Sequence, residues 1–262
     1  MEVRHGGHED EAGTVSWISS SLAMSMHGAL MVVAWLFCSN LGMAVGRYLR
    51  LSPKPYKTWF PLHIGLQATA AVLTFAGFIV IVMHVGSDEE DSSHFASVHG
   101  VVGLLIFISM LVQTVLGIVA HYTWAPAEGA TLYDKWHWWV GRGLFLLSIA
   151  NVLSGFGLLQ QEMALNGFIW FCLGLLVAAL FLFTAGFEIH VFVPPAQAHT
   201  FDVLDDHAPA VEQAKLGYEV DASNGRTFKA MTIYAATISV LAFIVVVGLF
   251  AGVSALEEEP MD

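Results

Sequence analysis

The chain has 262 residues, 56% of them hydrophobic and only 12% charged, with a formal net charge of -12 and a mean hydropathy of +0.66. That composition places it among membrane proteins and leaves room for one helical bundle and little else. It offers no basic surface for nucleic acid, and the sequence contains neither a dinucleotide-binding glycine motif nor a Walker loop, which excludes nicotinamide, flavin and ATP sites.

A hydrocarbon core of about 30 Å calls for about 20 apolar residues as helix, and backbone groups in lipid must pair within their own segment. Residues 1–20 form a polar, acidic tail. The first span covers roughly 21–46; its apolar run is too long for a signal-peptide core, so it is read as a retained anchor. The second, third and fourth spans cover roughly 60–85, 97–121 and 137–160, and with the first they make a four-helix core over 21–160. A fifth span at 167–193 lies within the segment 161–193. The loop 194–229 opens on Pro194-Pro195, is polar, and is expected to be ordered in part, with a short helix near Ala210–Lys215. A sixth span at 230–254 and an acidic tail complete the segment 230–262. The fold class is therefore all-α: a polytopic membrane protein with six transmembrane helices. Cys38 and Cys172 both fall inside apolar runs, where a thiol acts as a small packing group.

Basic residues set the orientation. Arg47, Arg50, Lys54 and Lys57 follow the first span, Lys135 and Arg142 flank the start of the fourth, and Lys215, Arg226 and Lys229 lie before the sixth. All face one side, and only Arg4 faces the other. The positive-inside rule makes that side cytoplasmic and puts both termini outside or in a lumen. The acidic run Asp88-Glu89-Glu90-Asp91 then lies outside as well.

Four histidines recur at steps of 36, 36 and 38 residues: His27, His63, His99 and His137. Each stands a few residues inside the start of a span, and successive spans run in opposite directions. His27 and His99 therefore share the outer level, and His63 and His137 the inner one. Ionisable side chains within a bilayer are costly and mark function. Two imidazole pairs at two depths is what two bis-histidine haems require, and such iron has no open position, so it carries electrons. Each histidine lies roughly 8 Å inside its face at helical rise, which separates the two levels by roughly 15 Å in a core of about 30 Å.

Other residues join this di-haem core as cofactor contacts. Gly103 and Gly141 lie four residues beyond His99 and His137, on the same helix face, and leave room for a flat ring. Asn151 reaches the outer level and Gln113 the inner one, as hydrogen-bonding partners or as links between helices. Arg142 is the candidate partner for a propionate or an anionic substrate, and with Lys54 and Lys57 it makes a candidate inner donor site. His84 and His94, beside Asp88 and Glu89, combine imidazole and carboxylate as a metal site does, and form a candidate outer docking site for a metal substrate. The alternatives are a histidine-dependent metal-ion transporter, or a membrane subunit that relays electrons to a separate secreted redox domain. A transporter would place ionisable groups near the midplane, whereas no Asp or Glu falls between Ala23 and Met83.

These stretches resemble the cytochrome b561 family, in particular the membrane part of its DOMON-associated and ferric reductase-like members. The resemblance rests on His27-Gly28-Ala29-Leu30-Met31 with Ala34-Trp35 and Arg47-Tyr48, on Trp59-Phe60-Pro61-Leu62-His63 with Gln67, on His99-Gly100-Val101-Val102-Gly103 with Gln113, and on Trp136-His137 with Gly141-Arg142 and Asn151 through Gly155. It implies two b-type haems in a four-helix core, often within a homodimer. It also implies a cytoplasmic donor, commonly ascorbate, and an outer acceptor such as monodehydroascorbate or a ferric complex. By position, His27 with His99 would ligate one haem and His63 with His137 the other. About 20 residues precede the first span, so no DOMON domain is expected ahead of it. The third-helix histidine reads Ser97-Val98-His99-Gly100 rather than the SLHSW of the ascorbate-using branch, and that branch's ALLVYRVFR signature is also missing.

Overall fold

A computed structural model of the chain describes residues 20–49, 56–85, 95–123, 131–163, 165–191 and 210–257. The outer tail, Lys54, Asp88, Glu89, His94, the loop over 192–209 and the side chain of Lys57 lie outside the described residues.

Among the described residues every regular element is a helix. Six are long and apolar enough to cross a membrane. We label them α1 (Ser20–Leu49), α2 (Tyr56–Val85), α3 (Val98–Thr123), α4 (Leu132–Met163), α5 (Gly167–Gly186) and α6 (Ala210–Glu257). Side chains start several of them. At α4, Asp134 Oδ2 accepts from the Thr131 N–H at 2.8 Å and from its hydroxyl at 2.7 Å, while Thr131 Oγ1 accepts from the Asp134 N–H at 3.2 Å, a reciprocal cap on two otherwise orphaned donors. At α5, the Asn166 side chain accepts from the Phe168 N–H at 2.9 Å.

Two helices depart from regular α geometry. α1 runs as α-helix to Met31, widens into a π-helical stretch over Val32–Ser39, returns to α over Asn40–Ala44, and ends in a second π stretch, Val45–Leu49. α5 continues past Gly186 as the π segment Phe187–Val191. π turns of this kind often accompany functional sites.

The short helix expected near Ala210–Lys215 is instead the first turns of α6, which runs for 48 residues without a break. No proline follows Pro209 within it, and extending a helix already nucleated in the membrane adds one hydrogen bond for each residue fixed.

α1 is the central pillar. It packs against α2, α4 and α6, while α3 packs on α4 and α5 on α6. Of its membrane-crossing stretch 61% is buried, against 11% for α3, and α1 is accordingly the less hydrophobic of the two, with packed polar residues such as Ser25, Ser39 and Asn40, while α3 turns its apolar side chains outward. The main core joins α1, α4, α5 and α6 through residues such as Leu36, Phe156, Leu173, Leu176, Ile238 and Leu249. α1/α2 and α3/α4 form two hairpins that meet along α1 and α4 and touch little between α2 and α3. A small second cluster, with Trp35 and Ala34 of α1, Ile106 and Met110 of α3 and Leu144 of α4, fills the space between the hairpins.

Candidate functional site: two facing histidine pairs

The two hairpins bring the four periodic histidines together in pairs. His27 of α1 faces His99 of α3 with ring centroids 6.1 Å apart and planes at 87°. His63 of α2 faces His137 of α4 at 6.4 Å and 78°. Two metal–imidazole bonds of about 2 Å each, plus the reach from nitrogen to ring centre, set centroids about 6 Å apart across one shared metal. Both pairs fit that spacing.

Backbone carbonyls hold three of the rings. His27 Nδ1–H donates to Gly77 O at 2.9 Å, and His63 Nδ1–H to Gly42 O at 2.8 Å. His99 Nδ1 lies 3.1 Å from Asn151 O and 3.2 Å from Ser154 Oγ. A proton held on Nδ1 leaves Nε2 with its lone pair free, the tautomer a metal ligand needs, and the bond raises the basicity of that nitrogen. His137 is held differently: the Gln113 amide nitrogen donates to its backbone carbonyl at 2.7 Å and lies 3.0 Å from its Nδ1.

Glycines on neighbouring helices make these positions available. A Cβ on Gly46 would sit 2.9 Å from His63 Nδ1, one on Gly117 2.8 Å from His137 Cε1, and one on Gly155 2.7 Å from His99 Cε1. Gly77 supplies the carbonyl for His27 and lies against Met31. Spacing within one helix does not point to these glycines. The signal that could have found them is the cost of a glycine in a helix interior, which in a membrane span calls for a close approach by a neighbour. The two glycines read as room for a ring have other neighbours. A Cβ on Gly141 would meet Gln113 Nε2 at 2.7 Å, and one on Gly103 would meet Asn151 Nδ2 at 3.4 Å. In the structure these glycines accommodate amide side chains; the Gln113 amide in turn meets His137, whereas Asn151 meets His99 through its backbone carbonyl.

The His63/His137 end carries the charged groups. Arg142 lies over the Trp138 ring, 3.6 Å from its centroid, and within electrostatic range of Arg47, Tyr48 and Glu188. Arg47 meets Glu188 in a two-pronged ion pair, Nε to Oε1 and Nη2 to Oε2, both 3.2 Å, and the Tyr48 hydroxyl donates to Glu188 Oε1 at 3.0 Å. His84, at the far end of α2, is half-buried.

Among the described residues no three His, Cys, Asp or Glu side chains gather as a site for an ion. A bare transition-metal ion bound by protein alone takes three or four ligands. Two opposed imidazoles suit a metal whose other positions are already filled by a macrocycle.

A model of eukaryotic cytochrome b561 matches residues 26–163, more than half of the chain and all four of the paired histidines. The chain belongs to the cytochrome b561 family. Membership implies haem b, which the paired imidazoles fit. A cytochrome b561 and DOMON domain-containing protein of Arabidopsis thaliana is 28% identical over 151 residues, 58% of this chain and 35% of that protein. Ferric-chelate reductase 1 of Homo sapiens is 23% identical over 232 residues, 84% of this chain and 36% of that protein. The chain thus spans about a third of the length of these relatives. No solved structure matches it. The family match ends at Met163, so α5 and α6, and with them Glu188, lie outside it.

Proposed function

We propose that this b561-family chain carries electrons across its membrane through two b-type haems, one between His27 and His99 and one between His63 and His137. The observation that carries the reading is the pair of facing imidazole couples, at 6.1 and 6.4 Å, on the same four helices. Haem with two imidazole ligands supplies one-electron chemistry at iron without an open position. The chain's own residues do the rest. Gly77, Gly42 and Asn151 carbonyls fix three ligand rings, and Gln113 braces the fourth. Trp35, Ile106, Met110 and Leu144 fill the space between the hairpins with apolar atoms, which keeps water and ions out of the route.

With the basic side cytoplasmic, His63 and His137 face the cytoplasm, His27 and His99 the outer side, and both termini lie outside or in a lumen. The donor is then a small cytoplasmic reductant, for which ascorbate is the proposal, meeting the chain near Lys54, Lys57 and Arg142. The acceptor is a ferric complex, as the name of the human relative suggests, or monodehydroascorbate, docking near His84, Asp88, Glu89 and His94.

The test is the haem content and reduced-minus-oxidised spectrum of the purified chain. Two low-spin b-haems reduced by ascorbate support both wire and donor, and reduction by dithionite alone points to another donor. A chain without haem refutes the reading. A second reading follows from the DOMON domain in the Arabidopsis relative's name: the electron passes at the outer face to or from such a domain. Ferric reduction by the purified chain alone would exclude it, and reduction only after a DOMON domain is added would support it.

A further inference from the structure

α5 and α6 lie beyond the family match, yet the end of α5 meets α1, the helix whose Gly42 and Gly46 pack on His63 of the inner pair. Phe187 stacks on Tyr48 with ring centroids 4.7 Å apart and planes at 22°, and it is buried. The next residue, Glu188, takes the Tyr48 hydroxyl and both prongs of Arg47. From α6, Tyr234 packs on Phe183 and Phe187 and bonds the buried amide of Asn40. The inner half of α1 is thus gripped from outside the four-helix unit.

Arg47 directly follows Gly46, the glycine that backs His63, and Gly42, one turn earlier, holds the His63 Nδ1–H. Arg47 therefore springs from the stretch of α1 that packs on His63, about 20 residues along the helix from His27 of the outer pair, and Glu188 fixes its guanidinium. Its guanidinium and the Glu188 carboxylate are about a third exposed, at 30% and 37%. Solvent weakens such a pair, and its two-pronged geometry with a third partner keeps it in place. A charge within about 10 Å of a redox centre at an effective dielectric near 20 still shifts its equilibrium on the order of tenfold.

We propose that Glu188 is a positioning residue that sets the affinity of the inner haem for electrons. It holds Arg47 in place and offsets its charge. The carboxylate favours the oxidised, more positive inner haem, and Arg47 favours the reduced one. Removing either partner alone should move the inner potential in opposite directions, and removing both should return it towards its starting value. A group that served only to hold helices together would move both variants the same way.

This rests on the two-haem reading above, and the experiment separates the two. The full-length chain in lipid nanodiscs is titrated spectroelectrochemically as wild type, Glu188→Gln, Arg47→Gln and the double variant, with haem content measured on each. A wild type without two haems would refute the two-haem reading and this inference with it. With two haems present, Glu188→Gln should raise the inner haem's reduced-to-oxidised ratio at fixed ambient potential by about tenfold. Arg47→Gln should lower it, the double variant should fall between, and the outer haem should stay within about twofold throughout. Equal shifts of both haems, shifts of the same sign in both single variants, or no shift would overturn the assignment. If Glu188→Gln loses haem, the double variant decides: haem retained with a near-wild-type inner potential supports the proposal, and loss there too overturns it.

Discussion

The closest approach of a described glycine to a histidine ring gives the sharpest test of the haem sites. A methyl group added at Gly155 would stand 2.7 Å from His99 Cε1, 3.3 Å from Nδ1 and 3.4 Å from Nε2, where ordinary contact begins at 3.4 Å. The imidazole would have to retreat by about 0.7 Å. It has nowhere cheap to go, because its Nδ1 is held by Asn151 O on α4 and its ring faces His27 at 6.1 Å, the spacing the proposed haem requires. Overpacking of this kind costs about 1–3 kcal/mol, which corresponds to about a five- to 150-fold loss of haem affinity at that site. Gly157→Ala is the matched control: it lies two residues further on α4 with nothing within 4 Å, so it reports the gain in helix propensity alone. The assay is haem titration of both variants after partial extraction, read at the outer-haem band and normalised to protein. Gly155→Ala should lose the outer haem first and keep the inner one. If both variants bound two haems with equal affinity, the assignment of His99 as a ligand packed on Gly155 would be wrong.

Other substitutions follow from the same geometry. Gly117→Ala, whose Cβ would lie 2.8 Å from His137 Cε1, should mirror the effect on the inner haem, whereas Gly77→Ala meets chiefly the flexible end of Met31 and should be mild; the same titration checks both. His63→Ala should remove the inner haem and leave the outer one, so haem content should fall from two per chain to one. Tyr234→Phe leaves the buried Asn40 amide without its hydroxyl partner, and thermal unfolding in detergent should show a destabilisation of about 1–3 kcal/mol. Asp134→Ala removes the returning half of the cap on α4 but keeps the Thr131 hydroxyl on the residue-134 N–H, and should cost about 0.5–1 kcal/mol in the same measurement, the low end of a lost cap.

The six spans and the all-helical class could be read from the sequence, because hydrocarbon thickness dictates helix length whatever the side-chain detail. The juxtaposition of His27 with His99 and of His63 with His137 could also be read, since alternation of helix direction needs no packing information. What escaped was register between helices. Spacing within a helix pointed to Gly103 and Gly141 as room for a haem ring, but it did not reveal Gly46, Gly117 and Gly155, the glycines packed on the imidazoles, each on a different helix from the histidine it touches. Which residue on one helix lies opposite which on the next depends on tilt and packing, and a linear periodicity does not encode either. The Glu188 clamp escaped for the same reason, with its partners 140 and 141 residues away.

The widened stretch Val32–Ser39 has a mechanical meaning for α1. A π turn closes its hydrogen bond on the fifth residue rather than the fourth, so each residue there advances less far around the axis. The stretch acts as a phase adjuster between the half of the helix that carries His27 and the half that presents Gly42 and Gly46 to α2. Rebuilding it as ideal α-helix, residue for residue, would rotate one half against the other like a camshaft reground with one lobe out of time. One end could then meet its partner only by pulling the other away.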